Sequence, residues 1–113
     1  MKGKNLGEFE EIVLLTVGVL YDNAYSVAIC DELQNQTGRS VNISAVHSAL
    51  YRLESKGYLD SRLGEASATR GGKRKRKFTI TSLGKKALDE TMDIRLKLRN
   101  QIPDIAFNFG FDN

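Results

Sequence analysis

Two groups of residues in this 113-residue chain have types and spacings that could do chemistry. The first is a run of cations, Arg70-Gly71-Gly72-Lys73-Arg74-Lys75-Arg76-Lys77, which places six of the seventeen Lys and Arg within eight positions. The second is the set Ser44, His47, Ser48, Tyr51, Arg52 and Ser55, which at helical spacing shares one face and includes no carboxylate. Hydroxyls, an imidazole and a guanidinium can hydrogen-bond to phosphate oxygens and base edges. A dense cationic run displaces the counterions condensed on a polyanion. Covalent chemistry finds no support in either group. Cys30 and His47 belong to different faces, one apolar and one polar, so they make no nucleophile-base pair. Gly71-Gly72-Lys73 lacks the spaced glycines, and the Ser or Thr after Lys, of a phosphate-cradling loop. A single Cys and a single His leave no zinc cluster of the usual spacing. The sequence therefore calls for no enzyme activity, no cofactor and no metal.

The charge balance points the same way once it is divided by position. The net +3 falls to −3 when the six clustered cations are set aside, leaving eleven against fourteen carboxylates. The chain is a mildly acidic body with one basic tip. At 113 residues and 41% hydrophobic it is one domain with enough apolar content to fold. One cysteine excludes an intrachain disulfide. The longest apolar stretch, from Ile12 to Leu20, is interrupted by Thr16 and Gly18 and is too short to span a bilayer, which takes about 20 residues. Glu8, Glu10 and Glu11 precede it where a signal peptide would carry cations. These features predict a cytoplasmic protein with no membrane partner.

The elements that must position the two groups follow from periodicity. Leu6, Phe9, Val13, Val17 and Leu20 predict an amphipathic helix to about Tyr21, and Ile12, Leu15 and Val19 widen its apolar stripe until little polar surface is left, which makes a covering partner subunit a reasonable suspicion. Asp22-Asn23 breaks it. A second helix from Ser26 to Thr37 turns Val27, Ile29, Cys30 and Leu33 inward, with Gly38 as its left-handed cap. The polar face lies on a third helix, from Ser44 to Gly57, which Asn42 or Ser44 can cap. Its core stripe is Val46, Ala49, Leu50 and Leu53. A strand over 58–63 and another over 73–79 make a hairpin whose long tip carries the cations. A last helix starts at Thr81 or Ser82 and runs to about Asn100, and Pro103 ends it. The expected fold is mainly α with a small β-hairpin, a winged helix-turn-helix of three helices, a two-stranded wing and a C-terminal dimerisation helix. Residues 1–81 form its DNA-binding domain, 82–102 the dimerisation helix and 103–113 a flexible tail.

Five pieces in this order resemble the PadR family of bacterial transcriptional regulators. They are Leu6-Gly7-Glu8-Phe9-Glu10; Ala24-Tyr25-Ser26-Val27-Ala28-Ile29; the stretch from Leu50 to Leu59; Arg70-Gly71-Gly72-Lys73-Arg74-Lys75; and Phe78-Thr79-Ile80-Thr81-Ser82-Leu83-Gly84. The resemblance covers about residues 6–88 and is to the family's short branch, without a separate C-terminal domain. It implies a homodimeric repressor on a pseudo-palindromic operator, with the first and last helices, here Phe9, Ile12, Val13, Met92 and Leu96, at the dimer interface. Residues expected to meet double-stranded DNA are Asn42, Ser44, His47, Ser48, Tyr51 and Arg52 on the third helix and Lys73, Arg74, Lys75 and Arg76 on the wing. His47 stands where the family usually has a Tyr. Some short members bind flat aromatic compounds with a Trp at the dimer interface. This chain has no Trp, so an inducer is left open, although Phe9 or the tail phenylalanines could line a pocket. The alternative function is a winged-helix module that binds an acidic protein and no DNA.

Overall fold

The computed structural model describes residues 6–64 and 75–110. Its elements are α1 (Glu8–Leu20), a 3-10 turn (Tyr21–Asn23), α2 (Ser26–Thr37), α3 (Ile43–Ser55), β1 (Leu59–Leu63), β2 (Arg76–Ile80), α4 (Ser82–Gln101) and a second 3-10 turn (Asp104–Phe107). The strands pair antiparallel from Leu59 opposite Ile80 to Leu63 opposite Arg76. This is the mainly helical, single-hairpin architecture the periodicity predicts.

Local chemistry explains the boundaries. α1 begins after Gly7 rather than at Leu6, with Glu8, Glu10 and Glu11 stabilising the positive end of its dipole. α2 ends at Gly38, whose φ of +73° lets its N–H turn back to the carbonyl of Gln34. Asn42, not Ser44, caps α3, its Oδ1 accepting from the Ala45 N–H at 2.8 Å. Thr81 caps α4 in the same way through Gly84. Such a cap contributes about 1 kcal/mol.

Three helices and the hairpin close over one core. Val13, Leu14 and Val17 of α1 meet Ile29, Cys30 and Leu33 of α2, and Val46, Ala49, Leu50 and Leu53 of α3, with Leu59 and Phe78 closing the hairpin side. Truncating a fully buried leucine such as Leu50 or Leu53 to Ala costs about 2–5 kcal/mol in such a core. Val27 departs from expectation. It lies beyond the Cys30 edge of the stripe, about 60° from Cys30 but about 120° or more from Leu33 and Ile29, and is 65% exposed. Cys30 is buried, with Sγ 3.6 Å from the Val41 carbonyl, as a small apolar filler.

α4 leaves the body. Its first turns dock closely: a Cβ at Gly84 would stand 2.3 Å from the Tyr58 carbonyl oxygen, so only glycine permits the approach. After Leu88 no residue of this 20-residue helix is buried. The radius of gyration is 17.8 Å, against about 13 Å for a compact chain of this length, and the long axis reaches 63 Å. No helix among the described residues is long and apolar enough to cross a membrane.

Candidate nucleic-acid interface

α3 stands with its apolar stripe in the core and its polar face outward. Ser44, His47, Ser48, Tyr51, Arg52 and Ser55 are all exposed, Tyr51 to 73%. Asn42, also exposed, spends its side-chain oxygen on the helix cap. The set predicted from spacing therefore does share one surface. Its two margins are chemically different.

Along the margin facing α1, Arg52 Nε and Lys56 Nζ donate to the two oxygens of Glu10 at 2.7 and 2.6 Å. Glu10 is a buried residue. Burial pushes its carboxyl up, but the bonds from Lys56 and Arg52 outweigh that and hold it below the usual glutamate value. Arg52 is thus anchored rather than free, which periodicity alone does not indicate.

The opposite margin meets the wing. Ser61 Oγ on β1 donates to Glu54 Oε2 at 2.7 Å and accepts from Arg76 Nη1 at 2.9 Å. A carboxylate therefore borders the acid-free face, tied into the hairpin by a hydroxyl. Between the two elements lies a cleft of about 340 Å³ lined by Ser26, His47, Leu50, Tyr51, Glu54, Arg76 and Phe78. The base of the wing is held to the corner before α2. The Phe78 N–H donates to the Ala24 carbonyl at 2.9 Å. Lys77 Nζ lies 2.6 Å from Asp22, whose hydrogen bond holds the ammonium above the usual lysine range. The Lys75 ammonium stands 5.9 Å from the Tyr25 ring centroid. Lys73 and Arg74, like the rest of the wing tip, lie outside the described residues. Among the described residues no group of three His, Cys, Asp or Glu could hold a metal ion.

The residues expected at a subunit contact divide three ways. Met92 and Leu96 are exposed on α4, at 40% and 55%. Phe9 and Ile12 are half-buried against the core. Val13 is 0% exposed, so it belongs to the subunit's own core and has no surface to offer a partner. Its i, i+4 relation to Val17 is consistent with that place. Also exposed are Leu15 and Val19 on α1, Ile94 and Leu98 on α4, and Ile102 just past its end, none of which the family resemblance singles out. Nor does it assign a role to Glu10 or Glu11. Glu10 precedes Val13, Leu14 and Val17 by three, four and seven positions, and that spacing marks it as inward-facing.

The family model described as the transcriptional regulator PadR-like family matches residues 14–90, which include α2, α3, the wing and the docked start of α4. The chain belongs to the PadR-like family. This PadR-like protein is a DNA-binding transcriptional regulator with a winged-helix fold, and its family are regulators, not enzymes. No curated protein matches it in sequence. Among solved structures it resembles a PadR family transcription regulator from Clostridium difficile R20291 at 27% identity and a TM-score of 0.57, over 80% of this chain and 95% of that one. A PadR-like transcription factor from Bacteroides fragilis superposes at a TM-score of 0.69 with 19% identity, over 86% and 88% of the two chains. The Aeropyrum pernix ORC1 protein, solved in complex with DNA, matches at 23% identity and a TM-score of 0.60, over 83% of this chain but 27% of that one.

Proposed function

We propose that this regulator is a cytoplasmic repressor that binds a pseudo-palindromic operator as a homodimer. The observation that carries the reading is the exposed, polar face of α3 beside a basic hairpin whose base is fastened to the same body. α3 enters the major groove, where Ser44, His47, Ser48 and Tyr51 meet base edges or nearby phosphates. Lys73, Arg74, Lys75 and Arg76 lie along the phosphate backbone. Arg52 reaches the duplex with its Nη groups while Nε stays on Glu10. Residues 1–81 read DNA and 82–102 join the subunits, with the tail from Pro103 beyond.

The dimer reading rests on the apolar surface of α4. Met92, Ile94, Leu96, Leu98 and Ile102 are 38–62% exposed, and α1 adds Leu15 and Val19. A free subunit leaves that area in water at about 25 cal/mol for each Å² a partner could cover. Two copies joined through it carry two reading helices, which an operator with two half-sites requires.

The test is a mobility-shift titration on the DNA upstream of the protein's own gene. If each subunit makes about three phosphate contacts, log K falls with log salt at a slope near −5. A slope near zero removes the DNA reading and favours the protein-binding module. A stable monomer at micromolar concentration on a sizing column removes the dimer.

A further inference from the structure

Adjacent carboxylates of α1 reach in two directions. Glu10 takes Arg52 and Lys56 of α3, and Glu11 Oε1 accepts from Arg95 Nη2 of α4 at 2.8 Å. Successive residues of a helix point about 100° apart, so one turn of α1 is ionically fastened to the reading helix and to the protruding helix. The Glu10 side chain is 10% exposed, whereas that of Arg52 is 51% exposed. The anchor is thus inside the protein and the anchored guanidinium is at its surface. The bond uses Nε and leaves the four Nη hydrogens to donate.

A free lysine or arginine at a DNA-facing surface attracts any phosphate and so raises affinity for every sequence alike. A guanidinium fixed by its Nε presents its fork in one direction, which matters for bidentate contact with a base or a phosphate. The carboxylate behind it also repels phosphate, which penalises complexes in which the fork is not satisfied. We infer that Glu10 is a positioning residue that sets sequence discrimination: it holds Arg52 against α1, so that duplex DNA meets one directed fork instead of one free cation. The inference rests on the reading of α3 as the DNA-contacting helix.

This makes a prediction that a merely structural ion pair would not. Removing the Glu10 charge should tighten non-specific binding while lowering discrimination, whereas structural damage weakens both together. The full chain, as wild type, Glu10→Gln and Arg52→Lys, is titrated against two duplex probes of about 30 base pairs, long enough for two half-sites one helical turn apart. One is a duplex selected by the wild type from a randomised pool; the other is a scrambled duplex of the same composition. Glu10→Gln should bind the scrambled duplex about 3–10-fold tighter, with a salt slope steeper by up to about 0.9 per subunit for the released Arg52. Its selected-to-scrambled ratio should fall by about 5-fold or more. Arg52→Lys, at a half-exposed position that leaves the core intact, should lose a similar part of the ratio without tightening on the scrambled probe. An unchanged ratio in Glu10→Gln, or a parallel loss on both probes, overturns the inference. So does full discrimination in Arg52→Lys. If the wild type selects no duplex and shows no salt-dependent binding, the DNA reading itself fails and takes this inference with it.

Discussion

α3 turns one polar face to solvent, whereas α4 past Leu88 buries no residue and leaves large apolar side chains in water. The α3 face is made of hydroxyls, an imidazole and a guanidinium that water satisfies fully, so its exposure costs the subunit little. α4 shows Met92 and Leu96 on one side and Ile94 and Leu98 on nearly the opposite one, with Ile102 just past its end, and water does not satisfy these groups. Their support differs as well. α3 is enclosed by α1, α2 and the hairpin, and each margin is fastened by a carboxylate, Glu10 on one side and Glu54 through Ser61 on the other. α4 is docked through Gly84 and Leu88, and further along it Arg95 is tied back to the body by Glu11. A rigid polar face suits a ligand that must be read in one register. A protruding helix with exposed apolar groups suits a second copy of the chain, which would supply the missing cover.

The sharpest way to break this contrast is a charge on the apolar arm. Leu98→Glu should leave the helical circular dichroism intact, shift the sizing-column peak to a monomer, and weaken binding to a two-half-site duplex by about 100-fold or more through loss of bivalency. A dimer that survives the substitution refutes the role given to α4. On the other face, changing Lys73, Arg74, Lys75 and Arg76 together to Ala should lower affinity about 10–100-fold on all sequences and flatten the salt slope by about 0.9 for each phosphate no longer neutralised. Retention of the full slope would take the wing off the DNA.

Smaller effects separate support from direct readout. Gly84→Ala must push α4 off Tyr58 and should cost about 1–3 kcal/mol in urea unfolding. Ser48→Ala should leave stability within about 0.5 kcal/mol of the wild type, since the hydroxyl is exposed. Its effect belongs to sequence preference, at about 1 kcal/mol of discrimination if it meets a base edge. An altered melting temperature with unaltered preference would reverse that assignment. Least of all, the Glu10 pair should appear in the pH dependence of stability. Its carboxyl is held below the usual value of 4.5, so the stability it adds is fully present above that pH. It is lost as pH falls through the lower, folded-state value. The unfolding free-energy gap between wild type and Glu10→Gln should be flat above pH 4.5 and close below it. A gap that instead widens on acidification would reverse the sign.

Much of this is legible along the chain. Apolar spacing locates four helices and the hairpin, because burial of one face is a periodic constraint that local sequence must satisfy. Asn42, Gly38 and Thr81 mark ends because caps are local chemistry. Val27 reads as inward along the chain because an apolar residue near a stripe looks like part of it, and only the packing of α2 decides which quarter turn is covered. Val13 stands on the periodic stripe of α1, and only the family resemblance places it at a subunit contact: on a helix apolar nearly all round, the wheel does not say which side meets the core and which a partner.

The sequence by itself determined the elements, the acid-free face, the basic run beside it and the membership of a regulator family, since each depends on residue types at short spacing. Tertiary structure alone decided that Arg52 is anchored, that Glu54 is tied to the wing, and that α4 stands clear of the body. Those facts join Arg52 to Glu10, 42 positions away, and Glu54 through Ser61 to Arg76, 15 positions beyond Ser61, or depend on how far a helix extends past its neighbours. No local pattern encodes such distances. They exist only once the core has closed and brought distant charges within a hydrogen bond of one another.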